Sequence, residues 1–96
     1  MSKSILIVED ELIVAMDMQS TLEKLGYTVT EIVDTGERAL QAIRRKVPDL
    51  VMMDIRIKGD MDGIETARAM KHKVDVPVVF LTAYADDATL DRAKRI

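Results

Sequence analysis

Four short β-prone runs, three of which are followed by a segment of helical periodicity before the next run begins, constrain this chain more than any other feature. Residues 5–8 (Ile5, Leu6, Ile7, Val8), 50–53 (Leu50, Val51, Met52, Met53) and 78–82 are apolar or β-branched throughout, as strands covered on both faces are. Residues 27–33 are β-rich but interrupted by Thr28, Thr30 and Glu31, which reads as a more exposed edge strand. Between them, residues 11–24 form a helix with Ala15, Met18, Leu22 and Leu25 on one face and Gly26 as its C-terminal cap. Asp34, Thr35, Gly36 and Glu37 have the spacing of a capping box and open a second helix, with Leu40 and Ile43 inward. Asp62-Gly63 starts a third helix that runs to about Lys73, with Ile64, Ala67 and Met70 inward. Asp86 or Asp87 caps a fourth, which continues to Ile96.

The alternation βαβαβαβα demands a parallel sheet with right-handed crossovers and helices on both faces. Ranking the strands by apolar character predicts a doubly wound, flavodoxin-like α/β fold of strand order 2-1-3-4. Residues 1–96 are expected to form one domain. That order leaves room for a fifth strand beside the fourth, and the sequence supplies none. Seven methionines at helix and strand spacing read as core filler, and His72 as a solvated residue in a last helical turn.

Acidic residues stand where two of the central strands should end: Glu9 and Asp10 after the first, Asp54 after the third. Charges beside a sheet core are costly unless paired or bound to metal. The carboxyl edge of a parallel sheet is also where ligands of open α/β folds bind. Three converging acids suit Mg2+, with direct oxygens from Asp10 and Asp54, a water-mediated one from Glu9 and the backbone carbonyl of Arg56. Without a metal the three repel, so at least one should resist ionising. A carboxylate beside such a cation can attack phosphorus, and a donor such as the Thr82 hydroxyl can hold an equatorial oxygen.

These residues carry a resemblance. The run from Ile7 through Val8, Glu9 and Asp10 to Glu11, the run from Pro48 to Ile55, the Asp62-Gly63-Ile64-Glu65 stretch and the run from Pro77 to Ala83 stand in the order found in the receiver domain of two-component response regulators, which the chain resembles along its whole length. The resemblance implies Asp54 as phosphoacceptor, Glu9 and Asp10 as the metal-binding pair, Thr82 as the switch hydroxyl, and a histidine kinase as phosphodonor. It implies a signalling domain rather than an enzyme, at most self-catalysing phosphoryl transfer and hydrolysis, and working through an effector domain or downstream protein. Two departures stand out. The family's fifth strand, with its Lys-Pro pair, and its fifth helix are missing. The loop from Asp54 to Asp62 is one residue longer than usual and carries Lys58 in place of a proline. Lys58 reads as an exposed loop lysine, with reach into the site as the alternative.

A second reading keeps the fold but not the chemistry: a phosphorylation-silent fragment acting only through protein contacts. Tyr84, two past Thr82, is a candidate for contacting partners or gating access to the site, with a plain loop tyrosine as the alternative. A nucleotide or flavin site is disfavoured, because the first loop is acidic where a phosphate cradle needs glycine. The calcium-loop likeness of residues 58–69 fails for want of acids at Lys58 and Ala69. Net charge −3 argues against nucleic-acid binding, and the absence of cysteine excludes disulfides and thiolate zinc sites. The N-terminus is too short in apolar residues for a signal peptide or a span, so the cytoplasm is the expected location. With no fifth strand or helix, the chain is expected to form a homodimer through the fourth strand or through the apolar face left uncovered beside the first helix, or else to be a fragment of a longer protein.

Overall fold

The computed structural model describes residues 2–81 and 87–95. The elements run β1 (Ser4–Val8), α1 (Leu12–Lys24), β2 (Thr28–Val33), α2 (Gly36–Arg45), β3 (Leu50–Asp54), α3 (Gly63–Lys71), β4 (Val78–Leu81) and α4 (Asp87–Lys94). All strand pairs are parallel, in the order β2-β1-β3-β4. The expected topology is therefore the observed one.

Because side chains alternate across a strand, β1 feeds two cores at once. Leu6 and Val8 join Val51 and Met53 of β3 beneath α2 and α3, where Ala39, Ala42, Ile43 and Met70 close the cluster. Ile5 and Ile7 face the other way, against Ala15 of α1, with Met18 and Leu22 packed at the margin. This double coverage is why β1 is apolar without interruption. β2 slips by one residue opposite the step from Ile5 to Leu6, and there the Thr30 hydroxyl donates to the Ile5 carbonyl at 3.3 Å.

Two local expectations are corrected. Leu25 does not join the buried face of α1: it is the C-cap residue, 69% exposed, followed by Gly26 at φ +95°. The second helix has no capping box. Thr35 is its N-cap, accepting from the Arg38 N–H at 3.1 Å, and an arginine at that third position cannot reciprocate. The reciprocal box belongs to α3, where Asp62 accepts from the Glu65 N–H at 2.8 Å and Glu65 accepts from the Asp62 N–H at 2.9 Å. His72 is exposed at the C-cap of α3, as expected. None of the described α4 side chains is buried, and Arg92 on that helix pairs with Asp62 at 2.8 Å. No helix among the described residues is long and apolar enough to cross a membrane.

Candidate metal and phosphoryl site

The register of the sheet brings the acids together. β1 lies between β2 and β3, so its C-terminal tip emerges beside the tip of β3. The Glu9 N–H still donates to the Val33 carbonyl of β2 at 2.9 Å, which fixes Glu9 in the sheet before the chain turns into α1. Asp54 closes β3 opposite Leu81 of β4. One carboxylate oxygen each from Glu9, Asp10 and Asp54 lies within 4.8 Å of the others. Residues 44 positions apart in the chain (54 − 10) thus share one small volume.

The three are not equivalent. Glu9 is only 6% exposed, and its Oε1 accepts the Glu11 N–H at 3.0 Å. Burial, a side-chain hydrogen bond with Asp54, and the nearby Asp54 and Asp10 charges push its carboxyl up from 4.5 to about 7, against the opposing pull of the Glu11 N–H. Burial is the largest of these causes, and the neighbouring carboxylates add to it. Asp54 is half-buried and accepts the Arg56 N–H on its Oδ1 at 3.2 Å, which orients the carboxylate along the turn leaving β3.

A glycine holds the back of the site. Gly63, the first residue of α3, donates its N–H to the Ile55 carbonyl at 2.8 Å. A Cβ at position 63 would collide with the backbone carbonyl of Asp54. Only glycine lets the helix start seat itself directly behind the acidic strand tip. The sequence reading took Asp62-Gly63 as a helix start and missed this packing role; the pairing of Asp62 with Glu65 three residues on was the available signal for the box.

Two clefts flank the cluster. One, of about 580 Å³, is lined by Glu9, Asp54, Val14, Met18, Phe80 and Leu81. The other, of about 340 Å³, is lined by Glu9 and Asp10 together with Asp34, Arg38 and Lys58. The Lys58 ammonium rests on Asp34 at 2.8 Å and holds that carboxyl below the ordinary carboxylate range, and Arg38 approaches the same residue at 3.4 Å. Asp34, read from sequence as part of a cap, is instead an ion-pair partner. Thr82 and Tyr84 lie outside the described residues.

A parallel 2-1-3-4 sheet with acids at the tips of β1 and β3 defines a class, the receiver fold of signalling regulators. The model of the response regulator receiver domain matches residues 5–96, and the chain belongs to that family. It is 34% identical over 87 residues to the phyllosphere-induced regulator PhyR of Methylorubrum extorquens, covering 90% of this chain and 33% of that protein. It is 33% identical over 92 residues to the transcriptional regulatory protein PdtaR of Mycobacterium tuberculosis, covering 96% of this chain and 44% of that one. The chain thus spans less than half the length of either regulator. Among solved structures, the signal receiver domain of a modulated diguanylate cyclase from Desulfovibrio desulfuricans superposes with a TM-score of 0.92 at 37% identity, covering 99% of this chain and 75% of that one.

Proposed function

We propose that this chain accepts a phosphoryl group on Asp54 from a histidine of a separate kinase, with Mg2+ in the acidic cluster, and relays the change through Thr82. The observation that carries the reading is the convergence of the Glu9, Asp10 and Asp54 oxygens within 4.8 Å. The donor set fits the ion: the oxygens are hard, and three carboxylates share one small volume with Glu9 buried among them. Asp10 and Asp54 would hold it directly, Glu9 through water, and the Arg56 backbone carbonyl would complete the set. When bound, Mg2+ supplies charge neutralisation for the equatorial oxygens of a transferring phosphoryl group.

The remaining work falls to the chain. An Asp54 carboxylate oxygen attacks phosphorus, and an O–P bond forms as the N–P bond of the phosphohistidine breaks. The imidazole nitrogen keeps the electron pair and takes up a proton. The Arg56 N–H fixes the attacking carboxylate, and the Thr82 hydroxyl is the donor drawn toward the new phosphoryl oxygens.

The residues 1–96 are read as a single receiver domain. Output would come from an effector domain or downstream protein, a reading supported by the greater length of the relatives. We place this activity in the cytoplasm, without contact to nucleic acid or membrane by this domain. Self-association through β4 belongs to the same proposal: among the described residues β4 pairs with β3 alone, and its Val79 is 45% exposed.

Intact-mass measurement after incubation with acetyl phosphate and Mg2+ tests the reading. One added phosphoryl group on the wild type and none on Asp54→Asn is the expected result. Labelling of neither would favour the phosphorylation-silent interaction module, and equal labelling of both would remove Asp54 as the acceptor.

A further inference from the structure

We propose that Lys58 is a phosphoryl-binding residue, held on Asp34 at rest and transferring its ammonium to the phosphoryl group once Asp54 carries one. The inference rests on Asp54 being the phosphoacceptor. Lys58 lines the same cleft as Glu9 and Asp10, where it and Arg38 are the two cationic residues.

Its backbone is fixed while its side chain is exposed and paired with Asp34 at the surface. Lys58 bridges to Thr35 in parallel fashion. Gly59 follows at φ +102°, lying against Thr35 and Glu37, and there a Cβ would come within 3.0 Å of the Glu37 carboxylate. The lysine is thereby held at the rim of the cleft. The side chain itself is 61% exposed and rides on a flexible four-carbon stem.

Asp34 can release the lysine without being stranded, because Arg38 stays beside it at 3.4 Å. An exposed ion pair of this kind contributes little to stability. A phosphoryl group on Asp54, whose carboxylate lies within 4.8 Å of those of Glu9 and Asp10, brings about −1.5 to −2 charges and strong acceptors to the edge of this cleft. Both options are charge-assisted bonds, and the phosphoryl group carries about −1.5 to −2 charges against the single charge of Asp34. The ammonium therefore follows the charge.

Beryllofluoride with Mg2+, a phosphoryl mimic, is the probe, titrated calorimetrically against the full chain. Lys58→Ala is expected to weaken beryllofluoride binding about tenfold, as loss of one charge-assisted bond would, with Lys58→Arg recovering most of it. Asp34→Asn frees the lysine and is expected to tighten binding. If the ion pair merely strapped two loops together, Asp34→Asn and Lys58→Ala would weaken binding equally, and that result overturns the proposal. So does unchanged binding in Lys58→Ala, or a loss of Mg2+ affinity by the same factor in the absence of beryllofluoride. A wild type that shows no Asp54-dependent binding would instead bring down the phosphoacceptor reading, and this inference with it.

Discussion

Replacing Glu9 by glutamine should make the metal-free protein more stable, and by an amount set by pH. Glu9 ionises near 7 in the fold against 4.5 ordinarily. A carboxyl raised in this way favours folding while protonated. Its contribution is intact below about pH 4.5, falls as pH rises toward 7, and is constant above. The cost at about pH 8 is on the order of 3 kcal/mol, and at about pH 5 it is under about 1 kcal/mol. Glutamine keeps an oxygen to accept the Glu11 N–H, now bonded at 3.0 Å, and offers Asp54 an amide donor in place of a repelling charge. Thermal unfolding followed by circular dichroism, in chelator at both pH values, reads the effect. The expected gain at pH ~8 is roughly 10–20 °C for a domain of this size, shrinking to a few degrees at pH ~5. A gain independent of pH, or a loss at pH ~8, would refute the claim that burial beside two carboxylates makes Glu9 reluctant to ionise.

Other perturbations address the scaffold. Gly63→Ala forces a methyl group into the Asp54 carbonyl and should cost about 1–3 kcal/mol, read as a lower urea midpoint. Asp62→Ala removes the N-cap of α3 and should cost about 1–2 kcal/mol by the same measurement. It also frees Arg92, so amide exchange should quicken along residues 87–94 more than along α2. Sedimentation should reveal concentration-dependent association that Val79→Lys abolishes. A wild type that stays monomeric at high concentration would remove β4 as a self-association edge.

Much of this was legible in the residues because the sheet imposes simple rules. β1 is apolar without a break since it is covered twice, and the acids that follow it stand out against that background. Strand order came from the same contrast between β2, with its Thr28, Thr30 and Glu31, and the apolar β1 and β3. What escaped were matters of side-chain choice. Asp34 has the chemistry of a cap and the position of one, yet Thr35 takes that role while Asp34 turns to Lys58, 24 positions away (58 − 34). Leu25 fits the apolar spacing of α1 but falls where the helix is already ending. Gly63 shows no sequence sign of its contact with Asp54, because what it provides is the lack of a side chain.

The two sides of the acidic cluster are anchored unequally. On one, α3 is bolted behind Asp54 by Gly63, by the Ile55 carbonyl and by a reciprocal cap, and its Ile64, Ala67 and Met70 are fully buried. On the other, the described part of α4 buries no side chain and reaches α3 through an arginine on its surface. A push delivered at the tip of β3 therefore meets a rigid backstop in one direction and a loosely moored helix in the other. Recoil would be channelled toward the helix that has least to lose by shifting.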